Sequence, residues 1–520
     1  MKRYFNTTGF CRQDWHYMLN PLRNIQSNIY QLIENNQYFV LHAPRQTGKT
    51  TLLHSLAHKL NSEGVYTSLV FSVESAGFDT ISEEMANEKM IKSLIQASNV
   101  FGVNTLEYNA IAHKSLQDYL VDWTRNNPKP IVLLIDEVDA LYDNVLVSLL
   151  RQLRNGFQLR PTSFPSSIAL VGLRDVRDYK MKARPESHSL GSGSLFNIKA
   201  ESFTLQNFNL QEVNELFAQH TFDTGQIFSK EVAEQIYYYT GGQPWLVNAI
   251  ANEIIVEIFE NDTLKEITKE VVIQAKEDLI KRRDTHLDSL IDKLREERVR
   301  KIVMAIINGE DLLHDTFNDD LQYCVDLGLV VRDSQKGICF SNPIYQEIIP
   351  RVLNYNMQMS MIPKVEPQWF FTSDNKLKIN TLLKEFQQFY RENSESWLER
   401  FTFKEAGHQL LLMAFLQRII NGGGRIEREM ALGNGRCDLL LVYNNENFVM
   451  ELKMKRANFN FEKSKTQLLQ YLDKLGEQHG YLIIFETKPT SEISWETRIK
   501  WYVTEHTYNE VSKQITVVEM

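Results

Sequence analysis

The sequence contains few cysteines, and they follow no pattern that would bind a structural metal or build a disulfide framework. Among its 520 residues only four are cysteine, and no two form a Cys-x-x-Cys pair. Zinc sites and disulfide frameworks need paired or regularly spaced cysteines, so neither class is expected. We expect a protein of the reducing cytoplasm that uses its cysteines for packing. The four are Cys11, Cys324, Cys339 and Cys437.

Long apolar runs and an excess of positive charge are also lacking. No stretch approaches the roughly 20 apolar residues of a membrane span, and the opening MKRYFNTTGF has no apolar segment typical of a secretion signal. We therefore expect a soluble, unsecreted protein with no membrane partner. The net charge of −9 argues against a general cationic surface for nucleic acid, so any such site must be local. The length predicts roughly three or four domains.

A loop between an apolar strand and a helix carries the first chemical signal. Residues 38–42, YFVLH, have strand character, and residues 50–60 place leucines at helical spacing. In such a loop backbone N–H groups converge on phosphates, while Lys49 reaches the terminal phosphates and Thr50 gives its hydroxyl to Mg²⁺. Ala43 replaces the first glycine of the pattern, and the alternative is a chance Gly-Lys-Thr. The expected nucleotide-binding residues are Ala43, Pro44, Arg45, Gln46, Thr47, Gly48, Lys49, Thr50 and Thr51.

A second apolar strand, residues 131–137 with the sequence IVLLIDE, ends in two carboxylates. Asp136 can hold the Mg²⁺ shell through water, and Glu137 can polarise the attacking water. The alternative is a parallel strand whose acidic end merely meets solvent. Because both motifs occur in one α/β pattern, we expect ATP to be bound and hydrolysed.

Further strands are predicted at residues 65–75, 166–175 and 196–200, with a mostly helical stretch between residues 80 and 127. Arg174 lies at the end of the fourth strand, where its planar donors would suit a sensor of the γ-phosphate, as would those of Arg177. The alternative for both is a surface arginine paired with a neighbouring aspartate.

The strand order resembles that of P-loop ATPases with an additional catalytic-glutamate strand, the AAA+ and STAND groups. The segment TGGQPW, residues 240–245, also resembles the Gly-x-Pro element of the helical lid in STAND and replication-initiator-like ATPases. The resemblance implies that Pro244 touches the base or ribose, while an ordinary proline helix start is the alternative. Tyr17 and Pro21 of the N-terminal lead-in pack on the base or form a strap at the core edge.

The middle of the chain predicts a winged helix and then a linker. Residues 300–352 follow the order helix, helix, hairpin, helix. A winged helix can bind DNA, but the acidic helix before this wing favours a lid or a protein contact. Residues 353–368 contain two prolines and lose periodicity. The expected domains are an ATPase core with N-terminal strap (1–205), a helical lid (206–295), a winged helix (296–355), a linker (356–380) and a C-terminal domain (381–520).

A second set of catalytic residue types lies in the C-terminal domain. Residues 425–454 predict three strands joined by tight turns, with Asp438 on the second strand and Glu451 and Lys453 on the third. Glu451 and Lys453 are two residues apart, so their side chains point to the same face. Two carboxylates can hold Mg²⁺ or Mn²⁺ against a scissile phosphate, while a nearby lysine helps to form and aim hydroxide.

The pattern of Asp438 and Glu451-x-Lys453 resembles the PD-(D/E)XK nuclease superfamily, with Cys437 in place of its proline. Gln467 and Tyr471 resemble the Gln-x-x-x-Tyr motif of the RecB-like branch, which implies that Gln467 orients the active-site strand or DNA and that Tyr471 stacks or bonds nearby. Family members often take another metal ligand from the first helix, and either Glu405 or His408 can serve. Secondary candidates on the first strand are Glu427 and Glu429.

Over nearly its full length the chain resembles bacterial AAA-like ATPases fused to a C-terminal PD-(D/E)XK nuclease domain. The resemblance implies an α/β multidomain protein with a restriction-endonuclease-like α/β/α domain. It also implies ATP and Mg²⁺ or Mn²⁺ as cofactors and a nucleic acid, in the first place DNA, as partner. A role in defence or in mobile elements fits such a fusion. A homo-oligomer is compatible with it. One alternative is a STAND-like switch whose C-terminal domain only binds a partner or nucleic acid. Another is a DNA translocase, which needs an arginine finger; the candidates are Arg151, Arg154, Arg174 and Arg177.

Overall fold

The protein divides into two compact units. The first comprises residues 1–290 and 315–343, and the second comprises residues 291–314 and 344–520. A computed structural model describes residues 3–24, 27–78, 81–173, 199–282, 285–307, 318–333, 337–360, 367–398, 404–420, 424–432, 435–444, 446–455, 459–486 and 494–520.

A five-stranded parallel sheet forms the centre of the first unit. Its strand order is β2-β3-β4-β1-β5. Strands β1, β3 and β4 are buried at every residue, as expected for a parallel sheet that is covered by helices on both faces. Two apolar clusters occupy the two faces. The strands are β1 (Tyr38–His42), β2 (Thr67–Ser72), β3 (Ile131–Asp136), β4 (Ser167–Gly172) and β5 (Lys199–Thr204).

The helices of the first unit follow strong local signals. A reciprocal cap between Ser115 and Asp118 begins the fourth helix, and a similar cap between Asn209 and Glu212 begins the sixth. A π-helix, Glu253–Ile258, follows the eighth. The helices are α1 (Ser27–Glu34), α2 (Lys49–Glu63), α3 (Glu83–Phe101), α4 (Leu116–Asn126), α5 (Asp143–Gly156), α6 (Leu210–Thr224), α7 (Lys230–Thr240), α8 (Pro244–Asn252), α9 (Lys269–Arg282) and α10 (Thr285–Lys293), the last ending at the start of the second unit.

The predicted winged-helix segment has the expected element order. It comprises α11 (Glu297–Ile307), α12 (Asp319–Asp326), the antiparallel strands β6 (Val330–Asp333) and β7 (Gly337–Phe340), and α13 (Pro343–Ser360). The hairpin and α12 belong to the first unit, whereas α11 and nearly all of α13 belong to the second. A separate winged-helix domain therefore stays a prediction.

The predicted linker needs one correction. Helix α13 continues to Ser360, although the loss of apolar periodicity predicted a break after residue 353 and a linker from residue 356. Pro350 lies inside this helix, so the helix tolerates a residue that normally kinks or ends one. A short 3-10 helix, Pro367–Phe370, precedes the next long helix.

The second unit contains a mixed six-stranded sheet with the order β12-β13-β11-β10-β9-β8. Strands β10, β11 and β13 are mutually parallel neighbours, and the remaining pairs are antiparallel. The predicted three-strand run is confirmed, while strand β12 was not predicted. The strands are β8 (Gly424–Leu432), β9 (Gly435–Tyr443), β10 (Glu446–Lys455), β11 (His479–Glu486), β12 (Lys500–Tyr508) and β13 (Val511–Glu519).

Helices cover both faces of this second sheet. One face packs against α14 (Ile379–Leu398) and α15 (Lys404–Ile420). The other face packs against α16 (Phe461–Leu475). A single short turn of helix, α17 (Trp495–Arg498), precedes β12. No helix in the described part of the chain combines the length and apolarity needed to cross a membrane.

Candidate functional sites

The loop between β1 and α2 has the backbone conformation of a phosphate-binding turn. Gln46 and Gly48 adopt positive φ angles of 57° and 92°, whereas Ala43 does not adopt this left-handed conformation. An alanine is therefore accommodated where the sequence pattern has its first glycine. Gly48 immediately precedes Lys49, the first residue of α2. The N–H groups at this end of the helix give it the partial positive charge that favours phosphate.

The Lys49 side chain packs against the backbone of the phosphate loop. Its Nζ donates hydrogen bonds of 2.7 Å to the carbonyl oxygens of Ala43 and Pro44. Burial lowers the pKa of Lys49 to about 8, and the negative charge of Asp136 offsets only part of this effect. A buried ammonium whose direct partners are neutral carbonyls is stabilised when phosphate oxygens approach it.

The two carboxylates after β3 occupy different environments. Thr50 Oγ1 donates a 2.9 Å hydrogen bond to Asp136 Oδ2, so the hydroxyl and the carboxylate that would hold Mg²⁺ are adjacent. Glu137 has a positive φ of 60°, and its carboxylate accepts a short hydrogen bond from the hydroxyl of Ser72 at the end of β2. Burial raises the pKa of both acidic groups. The positive φ of Glu137 matches the backbone strain often found at functional sites.

A cavity opens beside the phosphate loop. Pro244 lines it, and its contact with the base or ribose stays a prediction. The neighbouring Trp245 donates from Nε1 to the Thr7 carbonyl at 2.8 Å, which fixes the N-terminal lead-in against α8. The lining also includes Tyr17, Pro21, Gln46, Thr47, Gly48, Thr51, Phe208 and Asn248.

The turn after α12 packs directly on the phosphate loop. Gly328 has a φ of 72°, and a Cβ atom there would lie 2.5 Å from Cγ of Pro44. Asp326 Oδ1 lies 3.8 Å from Nε2 of His42, the last residue of β1. On the lid side, Gln243 Nε2 donates to the Arg45 carbonyl at 3.4 Å. The loop is therefore contacted by two separate segments of the first unit.

The predicted acidic site of the second unit is assembled by β9 and β10. Asp438 lies one step beyond the paired residues Leu439 and Met450, and its Oδ2 accepts a 2.9 Å hydrogen bond from the Leu452 N–H. Lys453 Nζ lies 3.2 Å from Asp438 Oδ2 and 2.5 Å from Glu451 Oε1. The three predicted catalytic side chains therefore form one contiguous group.

Glu451 is the most deeply buried member of this group. Its side chain has 0 % exposure, and neither carboxylate oxygen has a partner with hydrogen-bond geometry among the described residues. Burial is the larger cause and repulsion from Asp438 the smaller one, and together they raise the pKa of Glu451 to about 8. Burial alone would lower the pKa of Lys453, but the two carboxylates raise it overall.

These properties fit a divalent cation held by Asp438 and Glu451. Two neighbouring carboxylates that share a single lysine can accept further positive charge, and Mg²⁺ usually takes one or two protein carboxylates together with substrate oxygens and water. Among the residues that the structure describes, no three histidine, cysteine, aspartate or glutamate side chains form a metal-binding group.

The other predicted nuclease residues vary in their surroundings. Gln467 Nε2 donates to the Tyr471 hydroxyl at 2.7 Å on α16. Tyr471 belongs to the apolar cluster that includes Leu440 and Val449, which alternate along β9 and β10 with the same period as Asp438 and Glu451. The helix with the Gln-x-x-x-Tyr pair therefore covers the sheet face that carries the acidic site.

His408 lies on the opposite face of the sheet. Its Nδ1 contacts the hydroxyl of buried Tyr390, and its ring packs 5.4 Å from that of Phe485. Tyr390 and Phe485 belong to the apolar cluster of α14 and α15. Burial lowers the pKa of His408 to about 4. A metal-ligand role for His408 stays a prediction, without support from these contacts.

Several predicted residues lie outside the described part of the chain. They are Arg174, Arg177 and the side chains of Glu405, Glu427 and Glu429. Conversely, Ser72, Trp245, Asn248 and Gly328 were missed by sequence reasoning. Of these, only Asn248 had a local signal, because it lies one helical turn after Pro244 and so shares its helix face.

The fold and the nucleotide site define a P-loop ATPase. A parallel sheet with a phosphate loop after β1, and a carboxylate pair after the strand two places away in the sheet, is the arrangement of that class. A family model described as an AAA-like domain matches residues 16–347. The chain therefore belongs to the AAA-like domain family. A second model, a domain of unknown function (DUF8371), matches residues 384–488.

Comparison with solved structures adds distant likenesses. A Walker-type ATPase of Pyrococcus abyssi is 15% identical with a TM-score of 0.46, covering 66% of this chain and 98% of that one. The Holliday junction branch migration motor RuvB of Thermotoga maritima is 16% identical with a TM-score of 0.32, covering 62% and 93%. Domain III of the replication initiation protein DnaA from the same organism is 14% identical with a TM-score of 0.32, covering 50% and 93%. Comparison with curated proteins gave no match.

Proposed function

We propose that this protein is a metal-dependent nuclease with DNA as its substrate. The nucleotide state of its ATPase unit would control the nuclease activity. The observation that carries the proposal is the group of Asp438, Glu451 and Lys453, in which the lysine lies within ion-pair distance of both carboxylates and Glu451 is completely buried. Burial of such a carboxylate is costly unless a cation or proton neutralises it. A role in defence or in a mobile element is compatible with a nuclease under this control.

At the ATPase site, the chain binds phosphate and positions water. The phosphate loop and Lys49 would hold the β- and γ-phosphates, and Thr50 and Asp136 would hold Mg²⁺. Glu137 would accept a proton from the attacking water when its carboxylate is released from the Ser72 hydroxyl. The raised pKa of Glu137 is consistent with a proton acceptor.

At the C-terminal site, Asp438 and Glu451 would hold Mg²⁺ or Mn²⁺, and the bound ion would lower the pKa of water and polarise the scissile phosphate. Lys453 would donate hydrogen bonds to the phosphate oxygens once metal takes over its place between the carboxylates. Gln467 and Tyr471 would orient the strand or the nucleic acid from the same face of the sheet.

The decisive experiment measures cleavage of single- and double-stranded DNA and RNA by the full chain with Mg²⁺ or Mn²⁺, in the presence of ATP, ADP or no nucleotide. We expect metal-dependent cleavage that changes with the nucleotide. Glu451→Gln keeps the side-chain shape but removes the charge, and should reduce cleavage by roughly 100- to 1,000-fold. Glu137→Gln should block ATP turnover and fix cleavage at the ATP-bound level.

The matched control for Glu451→Gln is Glu446→Gln, at the solvent-facing start of the same strand. This variant should retain cleavage. Absence of cleavage under every condition, with Glu451→Gln indistinguishable from the unaltered protein, would refute the nuclease and leave the ATPase in place.

A nucleotide-controlled assembly switch is the second candidate. Its support is the contact of Gly328 and Asp326 with Pro44 and His42, because a segment packed on the phosphate loop can respond to a bound phosphate. In this case ATP would change the oligomeric state of the protein, and therefore its measured mass in solution, without any cleavage of nucleic acid. An unchanged mass with ATP, ADP and no nucleotide would refute it.

A further inference from the structure

Asn248 in α8 has an amide oxygen without a partner. Its side chain is 7 % exposed, and Nδ2 donates a 2.8 Å hydrogen bond to the Pro244 carbonyl. A carbonyl can only accept, so this bond identifies the amide nitrogen and fixes Oδ1 on the other side. Oδ1 is buried and has no donor among the described residues. Such an acceptor is costly unless a ligand supplies an N–H or O–H group.

Asn248 is one of the residues that line the cavity beside the phosphate loop. The same cavity is lined by Gln46, Thr47 and Gly48 of the loop, so a molecule whose phosphates lie on the loop extends into the space beside Asn248. The other walls are mixed: Asn6, Thr7, Thr8, Arg23 and Thr51 are polar, and a flat aromatic ring suits the apolar side chains. They are Leu19, Leu52, Leu205, Phe208, Leu216 and Pro244.

We propose that Asn248 determines base specificity by accepting a hydrogen bond from the 6-amino group of adenine. The inference rests on the proposed binding of ATP at the phosphate loop. Adenine presents an amino donor at position 6, where guanine presents a carbonyl acceptor. Two facing acceptors repel, so Asn248 Oδ1 favours adenine at this edge. A site built to bond a substrate N–H rejects an analogue that lacks it, because its own polar group is left unpaired.

The experiment compares dissociation constants of the full chain for ATP, GTP, 2′-deoxy-ATP and purine riboside triphosphate, which lacks only the 6-amino group. We expect purine riboside triphosphate to bind roughly 5- to 100-fold more weakly than ATP, the range for one unpaired buried group. GTP should bind at least as weakly, and 2′-deoxy-ATP should bind nearly as well as ATP.

The variant Asn248→Leu has a similar shape and no acceptor. It should bind ATP and purine riboside triphosphate with nearly equal affinity. The control is Asn252→Leu, one turn further along α8 and absent from the lining of this cavity, which should keep the preference for ATP. Thermal unfolding of each variant tests whether it folds. The comparison of ligands on the unaltered protein gives a result even when a variant does not fold.

Equal binding of ATP and purine riboside triphosphate by the unaltered protein would overturn the inference while leaving nucleotide binding intact. A loss with 2′-deoxy-ATP instead would assign the acceptor to the ribose and overturn it as well. A preference that persists in folded Asn248→Leu would overturn the role of this residue. If no nucleotide binds, the proposed ATPase function and the inference both fail.

Discussion

The two sites use the same residue type, a partly buried lysine, with opposite electrostatic outcomes. Lys49 contacts neutral carbonyl oxygens, and burial lowers its pKa to about 8. Lys453 lies between two carboxylates, and these raise its pKa although burial opposes them. The direct partners, rather than burial itself, decide the direction of the shift.

The carboxylates of the two sites also differ, in their hydrogen-bond partners. Asp136 is hydrogen-bonded by the Thr50 hydroxyl and the Glu137 N–H, whereas Glu451 has no donor with hydrogen-bond geometry. The phosphate loop therefore offers a positive charge without a direct counter-charge, and the site on β9 and β10 offers two carboxylates that share one lysine. The first is complementary to phosphate and the second to a metal ion.

Removing Lys453 should have the largest effect. In Lys453→Met the carboxylates of Asp438 and Glu451 lose their common partner, so we expect a loss of about 3 kcal/mol in the free energy of unfolding at pH 9. The loss should be smaller at pH 6, where Glu451 carries a proton. Urea denaturation followed by circular dichroism measures both values. Lys463→Met, an exposed lysine on α16, is the control and should leave the curve unchanged; an equally small effect in both variants would contradict the comparison.

Removing Lys49 should weaken nucleotide binding without destabilising the fold. Lys49→Met removes a buried ammonium that has neutral direct partners, so stability should be unchanged or slightly higher. The affinity for ATP should fall roughly 10- to 100-fold, because charge-assisted hydrogen bonds to phosphate are lost. Isothermal titration calorimetry measures the affinity. Lys59→Met, on the exposed side of the same helix, should bind ATP normally, and equal losses in the two variants would show a general defect of the helix.

The stability of the folded protein should depend on pH through the ionisation of Glu451. Its pKa rises from 4.5 in the unfolded chain to about 8 in the folded protein, so the folded state binds this proton more tightly. Stability contributed by the protonated form is therefore present below pH 4.5 and is lost as the pH rises through 8. Glu451→Gln removes this dependence, and its melting temperature should exceed that of the unaltered protein by several degrees at pH 9 and by much less at pH 5.

The pH dependence of metal affinity is an independent test of the same group of residues. Mn²⁺ must displace the proton on Glu451, so its affinity should rise roughly tenfold per pH unit between pH 6 and pH 8 and then level off. Calorimetric titration in two buffers of different ionisation enthalpy counts the protons released. An affinity that is constant from pH 6 to pH 8 would exclude Glu451 as a ligand.

The smallest expected effect tests the contact between Gly328 and the phosphate loop. Alanine at a positive φ costs about 1 kcal/mol, both at Gly328 and at Gly64, which has a φ of 76° and no neighbouring atoms within 4 Å of its Cβ position. Only Gly328→Ala also meets Pro44, so only this variant should change ATP affinity, by a few-fold. An identical ATP affinity in the two variants would show that the contact does not reach the nucleotide site.

The ATPase motifs could be predicted because each is a continuous stretch of chain. Residues 38–53 contain the strand, the loop and the helix that together hold phosphate, and residues 131–137 contain a strand and its two carboxylates. Two further residues of this site could not be found in this way. Ser72 and Asn248 are ordinary polar residues whose functions depend on neighbours far along the chain, Glu137 and the cavity beside the phosphate loop.

The acidic site of the second unit was only partly predictable. The two-residue period placed Glu451 and Lys453 on one face, and the structure confirms that they meet there with Asp438. The complete burial of Glu451 was not predictable, because it depends on how β9, β11 and α16 pack around β10. Helix α15 packs on the other face of the sheet, so the contacts of His408 give no support to its predicted role as a metal ligand.

By itself, the sequence determined which residues can bind phosphate and metal, since backbone loops and strand periodicity are set over short distances along the chain. It also determined the class of the first unit. Only the tertiary structure decided how two buried polar groups are partnered: the carboxylate of Glu451, which pairs with Lys453, and the amide oxygen of Asn248, which has no donor among the described residues. The physical reason is that the energetic cost of a polar group depends on all the atoms packed around it, and most of those atoms come from distant parts of the chain.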